Sequence, residues 1–554
     1  MNNAGIVDLI PEKLRKQWVA DGSYSNVAIY ELFRRQAMAN PDRDAVLSME
    51  ETLSYGKLLH KVHCLANSFK AMGIMPGDVV AYQLINSWHS CAIDLAVAAL
   101  GAVVAPFPPG RGKLDIESLL RRSGARAIIV ERDYGGVDFC KLIEELRPTL
   151  LSLRYPIVDG QPREGWKALD QMFKAEPISI EQLPHVCPDS PVRLLVSSGT
   201  ECEPKLVAYS HNAMIGGRGR FLQRLHPDGQ SFRGLYLIPL GSSFGSTATF
   251  GVLAWLGGSI VLLPKFEPKL VIAAIEKLRP SYILGVPTMF QRIAAHADLA
   301  KIDRSSLKAI ISGGSVVDKI TIERCIQAFD SKFINLYGSA DGVNCHNTLD
   351  DSLDVVSFSV GRPNPQVCDI RIVNAQGEVL PDGDIGEVMA RGPLSPMQYV
   401  NAPDLDKQYR DSQGWVFTGD LGFIDDNKYL VLAGRKKDII IRGGANISPV
   451  QIEKLATEHP NVISAACVSV PDKDLGSRVC ICITLRDSKQ RMSLIELTDF
   501  LRQQGLETNK LPEYLRYYRE LPLNPAGKLD KKKLQQDVSL LGSHKQQSKS
   551  IELA

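Results

Sequence analysis

The sequence lacks several patterns that would assign it to a common class of protein. Its 11 cysteines are scattered without the closely spaced pairs of a zinc site, so we expect buried free thiols in a reducing compartment. Lysine and arginine together number 64 against 62 aspartates and glutamates, and the net charge of +2 gives no reason to expect nucleic acid or a membrane surface as a partner. Neither an internal repeat nor a low-complexity tract is present.

Targeting and membrane-spanning patterns are also missing. The first residues do not combine a basic segment with an apolar one, so no secretory signal is visible. The most apolar window, residues 91–104, contains Asp94 and Gly101 and is too short to cross a bilayer, so it predicts a core helix. We therefore expect a cytoplasmic protein.

The pattern of apolar residues predicts an α/β fold. Short apolar strands alternate with helices at residues 79–130 and 235–337, which is typical of stacked α/β layers with largely parallel sheets. Residues 367–392 change to short strands with Asp-Gly and Asn-Ala-Gln-Gly turns, which predicts an antiparallel β subdomain. We expect a large N-terminal domain at 1–436, a small α+β domain at 437–535 and a disordered tail at 536–554.

A candidate phosphate site follows the apolar strand 192–196. The strand ends in Ser197-Ser198-Gly199-Thr200, a turn whose exposed backbone N–H groups suit phosphate, and Lys205 adds a cation. The spacing of a Walker loop is absent, and taken alone the turn fits a plain surface loop equally well. Small residues also follow other predicted strands, at 313–314 and 338–341. Because ligands collect at the carboxyl ends of parallel strands, these turns together predict one nucleotide-sized cleft.

Six motifs then occur in a characteristic order. They are Ser197-Ser-Gly-Thr with Pro204-Lys205, Tyr337-Gly-Ser-Ala-Asp341, Gly361-Arg-Pro, Thr418-Gly-Asp420, Gly434-Arg435-x-Lys437-Asp438 and Pro525-Ala-Gly-Lys528. In these motifs the chain resembles the adenylate-forming enzymes, which include acyl- and aryl-CoA synthetases, luciferases and the adenylation domains of nonribosomal peptide synthetases. The resemblance covers residues 28–535. Within the family, the chain most resembles the stand-alone aryl-acid AMP ligases. The segments that carry this closer likeness are 340–342, 347–351, 442–444 and Pro204-Lys205-Leu206.

The resemblance implies a two-step reaction and a small C-terminal domain that moves between the steps. A carboxylic acid, aryl or compact and cyclic, would attack ATP in the presence of Mg²⁺ to give an acyl-AMP. A pantetheine thiol, of CoA or of a separate carrier protein, would then take the acyl group. The implied partners are thus a small carboxylic acid and CoA or a carrier protein, without nucleic acid or membrane.

The resemblance also assigns roles to individual residues. Lys528, Lys205 and Thr200 would be catalytic, and Asp341 would hold the metal. The implied nucleotide-binding residues are Ser197, Ser198, Gly199, Gly313, Gly314, Tyr337, which would stack on adenine, Gly338, Ser339, Asp420 and Arg435. The implied acid pocket contains Ser242, Ser243, Gly314, Gly338 and Val343. Lys437 would be the hinge, and Gly443 with Gly444 would line the thiol tunnel.

Several positions depart from the family pattern. Glu201 and Cys202 replace the second Thr and the Gly of the phosphate loop, Ser242 and Ser243 replace a His and an Asn, and Asp341 replaces a Glu. Because 242–246 contain no Asp to pair an α-ammonium group, an amino acid substrate is less expected. The alternative to a ligase is a catalytically impaired homologue that binds nucleotide or acyl adenylate. Asp420, Arg435 and Lys528 favour the ligase, and a phosphotransferase would need a phosphate loop that is missing.

The loop substitution generates a prediction. Glu201 places a negative charge near the departing pyrophosphate and removes a hydroxyl donor, a loss of about 1.5–3 kcal/mol for one charge-assisted hydrogen bond. The change Glu201→Thr is therefore expected to raise the rate of acid-dependent ATP–pyrophosphate exchange by about one to two decades. Lys528→Ala in the same background serves as the inactive control. An unchanged exchange rate in Glu201→Thr would show that Glu201 does not limit the enzyme.

Overall fold

The computed structural model describes residues 5–197, 204–315, 317–442, 445–487, 489–524, 529–539 and 551–552. Two eight-stranded sheets form the large domain. In the first, every pair except the two that involve an edge strand is parallel. In the second, the six strands from Pro191–Ser197 to Lys167–Ala168 pair in parallel, whereas Pro191–Ser197 and Lys205–Ser210 are antiparallel. The first sheet has the spatial order Asn344–His346, Lys332–Gly338, Ala309–Gly313, Tyr282–Gly285, Arg233–Tyr236, Ser259–Leu262, Asp44–Leu47 and Thr52–Ser54. The second has the order Gln398–Tyr399, Lys205–Ser210, Pro191–Ser197, Val103–Pro106, Val79–Gln83, Ala127–Glu131, Tyr155–Asp159 and Lys167–Ala168.

Both sheets are buried on both faces, which explains their continuous apolar strands. Along Val79–Gln83, Val80 and Tyr82 enter the core shared by the two sheets, whereas Val79 and Ala81 enter a core on the outer face. Along Tyr282–Gly285, Leu284 likewise faces the shared core and Ile283 an outer one. Because successive side chains on a strand point to opposite faces, each sheet separates two cores. The large domain is therefore a stack of helical and sheet layers, as the sequence predicted.

Helices cover these sheets and begin at identifiable caps. Tyr55–Ala71, for example, follows Ser54, whose hydroxyl accepts the Lys57 N–H. The α-helices of the large domain are Glu12–Ala20, Ile29–Ala39, Tyr55–Ala71, Trp88–Ala99, Lys113–Ser123, Phe139–Leu146, Leu169–Met172, His211–Ala213, Arg220–Leu225, Pro268–Leu278, Pro287–Ala294, Lys319–Phe329, Leu353–Phe358 and Pro403–Tyr409. Met214–Gly219 and Ala248–Leu256 are π-helices. Short 3₁₀ segments are Arg147–Thr149, Ile180–Gln182, Gly229–Ser231, Ala297–Lys301, Lys436–Asp438 and Thr508–Lys510.

The C-terminal third contains the predicted antiparallel sheet and the small domain. The sheet has the order Asp369–Val373, Gly386–Arg391, Val416–Ile424 and Leu430–Arg435. The small domain begins with the hairpin Ile440–Arg442 and Ala445–Ile447. Its sheet has the order Val462–Asp472, Gly476–Leu485, Tyr514–Tyr517 and Ile551–Glu552, with helices Pro449–Thr457, Leu494–Gln503 and Lys531–Val538. A separate two-stranded ribbon joins Asp133–Tyr134 and Val137–Asp138.

Two local expectations differ from the structure. The apolar window 91–104 is helical only to Ala99, after which the chain turns at Gly101, with φ of 65°, and enters Val103–Pro106. The predicted disordered tail at 536–554 begins inside the helix Lys531–Val538, which buries Leu534 and Val538. Ile551–Glu552 also pair with Tyr514–Tyr517. Within the part of the chain described, no helix is long and apolar enough to cross a membrane.

A buried ion pair connects the two large sheets. Arg193, on a strand of the second sheet, places Nη1 2.7 Å from Oδ2 of Asp94 on the core helix Trp88–Ala99, and neither side chain is more than 1% exposed. Its Nη2 donates to the carbonyl of Leu240, which follows a strand of the first sheet, at 2.8 Å. The Tyr82 hydroxyl donates to the other carboxylate oxygen at 3.1 Å. The pair and its hydrogen bonds thus connect four separate segments of the chain.

This pair predicts a large loss of stability when one partner is removed. Arg193→Met leaves Asp94 as an unpaired buried carboxylate, which costs about 3–5 kcal/mol. We expect the urea midpoint of the large domain, followed by tryptophan fluorescence, to fall accordingly. The double variant Asp94→Asn with Arg193→Met removes the stranded charge and should recover most of the loss. Equal midpoints for the single and double variants would contradict this account.

Candidate active site

A cavity of about 540 Å³ opens where the carboxyl ends of strands from both large sheets face the antiparallel sheet. Ser197, Gly313 and Gly338 lie at the carboxyl ends of three strands and line it. From the antiparallel sheet come Asp420 and Arg435. This confirms the predicted cleft at the strand ends.

Most of the predicted site residues that the structure describes line this one cavity. They are Ser197, Lys205, Ser242, Ser243, Gly313, Gly314, Gly338, Ser339, Asp341, Val343, Asp420, Arg435 and Lys437. Ser198, Gly199, Thr200, Glu201, Cys202, Gly443, Gly444 and Lys528 lie outside the described residues. Their assigned roles therefore stay predictions.

Asp420 is held on both sides of its carboxylate. The Tyr337 hydroxyl donates to Oδ2 at 2.7 Å, and Arg435 Nε lies 3.0 Å from Oδ1. The two strands that carry Asp420 and Arg435 pair at these very residues. Burial raises the pKa of Asp420, and the charge of Arg435 opposes that rise. The result is a fixed, buried acceptor at the cavity wall.

Tyr337 is not among the residues that line the cavity. Its ring is buried, and burial raises the pKa of its hydroxyl well above the usual value. Its observed contact is the hydrogen bond to Asp420. The stacking of Tyr337 on adenine thus remains a prediction, whereas its role in orienting Asp420 is a feature that the motif did not indicate.

Lys205 is buried against aromatic rings. Its Nζ lies 3.8 Å from the ring centre of Tyr409 and 5.7 Å from that of Tyr399, within the range of a cation–π interaction. The Tyr399 hydroxyl donates to Oδ1 of Asp341 at 2.8 Å. Tyr399 therefore connects the cation to the carboxylate predicted to hold a metal. Sequence reasoning missed both tyrosines, because they lie about 200 residues after Lys205 and outside the six motifs.

The mouth of the cavity is rich in cations. Lys436 Nζ lies 2.7 Å from Oε2 of Glu387. Desolvation and, to a smaller extent, the charge of Arg435 lower the pKa of Lys437 to about 8. The cationic residues that line the cavity are Arg111, Lys205, Arg218, Arg435, Lys436 and Lys437, and the acidic ones are Asp341, Glu387 and Asp420. Such a surface favours a polyanionic ligand.

Glycines keep the space between these groups open. A Cβ on Gly313 would lie 3.2 Å from both the Phe244 ring and the Leu336 carbonyl oxygen. Gly314 has a φ of 94°, in the left-handed region where other residues are strained. A side chain at position 313 would therefore be crowded, and the backbone conformation at position 314 favours glycine.

Arg218 is a cavity residue that sequence reasoning also missed. It is 7% exposed and lies in the π-helix Met214–Gly219. Its guanidinium donates to the Ser243 carbonyl and hydroxyl oxygens at 3.1 and 3.2 Å and to the Ser339 carbonyl at 2.8 Å. It thus connects the loop after Arg233–Tyr236 with the loop after Lys332–Gly338. The only signal in the sequence was an arginine within an apolar helix.

Comparisons with known proteins agree with this geometry. The model of the AMP-binding enzymes matches residues 33–400, and that of the AMP-binding enzyme C-terminal domain matches 451–528. The chain is 28% identical over 533 residues to the medium-chain fatty-acid–CoA ligase of Escherichia coli, covering 95% of this chain and 93% of that protein. It is 27% identical over 536 residues to the vibriobactin-specific 2,3-dihydroxybenzoate-AMP ligase of Vibrio cholerae, covering 96% and 98%.

A solved structure with the same fold is that of the amide bond synthetase McbA from Marinactinospora thermotolerans. It matches with a TM-score of 0.81 and 26% identity, and the match covers 92% of this chain and 100% of that one. The relatives named here differ in substrate at nearly equal identity, so the acid must be inferred from the cavity itself. The family match over most of the large domain, together with the convergence of the motif residues, shows that the chain belongs to the AMP-binding enzymes.

Proposed function

We propose that this protein is a ligase that uses ATP and Mg²⁺ to adenylate a carboxylic acid, aromatic or compact and cyclic. It then transfers the acyl group to the pantetheine thiol of CoA or of a separate carrier protein. The observation that carries the proposal is the buried Asp420 carboxylate, oriented by Tyr337 and Arg435 at the wall of a cationic cavity. Membership of the AMP-binding enzymes supports acid adenylation.

Asp420 suits the two ribose hydroxyls of ATP. A carboxylate has about four acceptor sites, so two hydroxyl groups can be added to the bonds from Tyr337 and Arg435 without displacing either. Gly313 and Gly314 leave room beside the strand ends for the adenine base. The turn after Ser197, together with Lys205, would receive the phosphates.

The first step joins two anions. The substrate carboxylate attacks the α-phosphorus, the bond to the bridging oxygen breaks, and pyrophosphate leaves with the electron pair. Positioned cations must hold the two anions together, so electrostatic stabilisation dominates the catalysis. Lys205 is placed for this by Tyr409, and Lys528 is assigned to contact the carboxylate and the α-phosphate.

The residues around Asp341 fit a Mg²⁺ ion. Mg²⁺ in nucleotide sites is commonly held by one or two carboxylates together with substrate phosphates and water. Asp341 offers a carboxylate at the cavity wall, and the Tyr399 hydroxyl orients it through Oδ1. When bound, the ion would neutralise charge on the triphosphate. The shorter Asp in place of Glu is thus supported by a neighbouring donor.

The second step needs access for a long thiol arm. Arg435 and Lys436 are ion-paired to Asp420 and Glu387 of the large domain, and the small domain follows directly. Lys437 therefore lies at the junction where a hinge would turn. Such a turn would withdraw Lys528 and present Gly443 and Gly444 to the thiol. Buried free cysteines suit the cytoplasm as the site of this reaction.

The direct test is ATP–pyrophosphate exchange across aryl, alicyclic, fatty and amino acids. We expect one class of acid to stimulate exchange and Lys528→Ala to abolish it, because exchange requires the reversible formation of acyl-AMP. Addition of CoA or of a carrier protein then identifies the acceptor by AMP release. Intact ATP binding without exchange for any acid would instead establish the alternative, a homologue that binds nucleotide without catalysis.

The environment of Asp420 predicts a pH effect on ATP binding. Asp420 accepts hydroxyl groups as a carboxylate, so affinity is full above its pKa and lost as the pH falls through it. Burial raises this pKa and Arg435 opposes the rise, so Arg435→Gln should raise it further. The KM for ATP in Arg435→Gln is then expected to increase at a higher pH on acidification than in the unsubstituted enzyme.

The measurement is the KM for ATP between about pH 5 and pH 8, within the range where carboxylates with raised pKa values titrate. Lys436→Gln is the matched control, since Lys436 pairs with Glu387 and not with Asp420. Its acid limb should coincide with that of the unsubstituted enzyme. Coincident acid limbs for Arg435→Gln and the control would show that Arg435 does not keep Asp420 ionised.

A further inference from the structure

The loop 242–247 at the acid end of the cavity contains four hydroxyl side chains, and three of them close its own turns. A hydroxyl of this kind needs no acceptor from a ligand, because its single hydrogen is already donated to a backbone carbonyl. These three donations are Ser242 Oγ to the Pro239 carbonyl at 2.7 Å, Ser246 Oγ to the Ser243 carbonyl at 2.6 Å and Thr247 Oγ1 to the Phe244 carbonyl at 3.1 Å.

Ser243 is different. Its hydroxyl oxygen accepts a hydrogen bond from Arg218 Nη1 at 3.2 Å, so its own hydrogen must point away from the guanidinium. Among the residues that the structure describes, none accepts that hydrogen. Ser243 is half-buried and lines the cavity. The donor therefore faces the space that the acid would occupy, and a neighbouring cation strengthens it.

Arg218 supplies a positive charge to the same place, and its guanidinium carbon lies 4.8 Å from the ring centre of Tyr209. It is buried, and no carboxylate of the described part of the chain lies within 4.0 Å of its guanidinium. Its other terminal nitrogen donates to the Tyr209 hydroxyl at 3.2 Å and to the Ser339 carbonyl, both neutral acceptors. Buried charges are normally paired, because desolvation without a partner is costly. An anionic or strongly accepting ligand group that accepts a hydrogen bond from Ser243 would lie close to this charge and be stabilised by it.

Apolar side chains also line the cavity. Phe221, Phe244, Val286, Leu336 and Val343 line it. A polarised donor such as the Ser243 hydroxyl among apolar side chains gives specificity, because a ligand that leaves the donor unpaired binds less tightly.

We propose that Arg218, acting through the Ser243 hydroxyl, selects acids that carry a second oxygen able to accept a hydrogen bond, apart from the reacting carboxylate. The inference rests on the proposed acid adenylation. Arg218 is a positioning residue, and Ser243 is the group that contacts the substrate oxygen. A ring hydroxyl and a second carboxylate share this chemistry.

Two matched pairs of acids distinguish these sources: benzoate with 2-hydroxybenzoate, and hexanoate with hexanedioate. In the unsubstituted enzyme the oxygen-bearing member of at least one pair should have a kcat/KM for exchange roughly 10- to 100-fold higher, the range of one charge-assisted hydrogen bond. A preference for 2-hydroxybenzoate over benzoate identifies a ring hydroxyl, and a preference for hexanedioate over hexanoate identifies a second carboxylate. Equal values within both pairs, with exchange clearly present, would overturn the inference and leave adenylation standing.

The variants Arg218→Met and Ser243→Ala should each bring the ratio of the two kcat/KM values in the discriminated pair close to one. The loss should appear in the KM for the acid, with the KM for ATP changed less than about twofold, since one acid-side hydrogen bond is removed. Arg220→Met, two residues further along the same chain segment, is the control and should keep the ratio. Ser243→Ala retains the backbone carbonyl that Arg218 binds, so it serves as the test if Arg218→Met does not fold.

A ratio that persists in Ser243→Ala would overturn the proposal. An absence of exchange with every acid in the unsubstituted enzyme would instead contradict the adenylation reaction itself. The two failures are therefore distinguishable in one series of measurements.

Discussion

The buried contact between Arg193 and Asp94 constrains the large domain more than any single apolar contact. Two charges without exposed surface are stable only while each keeps its partner, so the second sheet and the core helix cannot shift independently. The same guanidinium holds the Leu240 carbonyl, and the chain leads from there directly into the loop with Ser243. The position of the loop that we propose to bind the acid thus depends on a contact between the two sheets, outside the cavity.

Tyrosines orient two of the carboxylates in the cavity wall. Tyr337 holds Asp420, and Tyr399 holds Asp341, in each case through a hydroxyl that donates to one oxygen. A neutral donor fixes the direction of a carboxylate without cancelling its charge, whereas a lysine would compete with the metal or the ligand. Tyr399 also borders Lys205, so one side chain contacts both a cation and an anion of the cavity wall.

Those parts of the fold that depend on local pattern could be predicted from the sequence. Strands such as Val79–Gln83 and Tyr282–Gly285 are buried on both faces and therefore appear as unbroken apolar runs. Ser197, Gly313 and Gly338 converge because the strands that carry them end at one side of the two large sheets, whereas Asp420 and Arg435 come from the antiparallel sheet that faces those ends. The contacts of Tyr399, Tyr409 and Arg218 could not be predicted, since they depend on segments far apart in the chain. The helix Lys531–Val538 was not predicted, because it begins with three lysines and buries only Leu534 and Val538.

The position of Arg218 results from an irregular helix that no periodicity indicates. A π turn holds more residues than an α turn, so it redirects the side chains that follow it. The glycines on either side of Arg218 permit the close packing that this turn requires. A Cβ on Gly217 would lie 2.3 Å from a Leu394 side-chain atom, and one on Gly219 would lie 3.4 Å from the Gly251 Cα of the second π-helix. A larger residue at 217 would move the helix away from Leu394 and with it the guanidinium from Ser243. The specificity that we propose for this cavity would therefore depend on helix packing as well as on the residues that contact the acid.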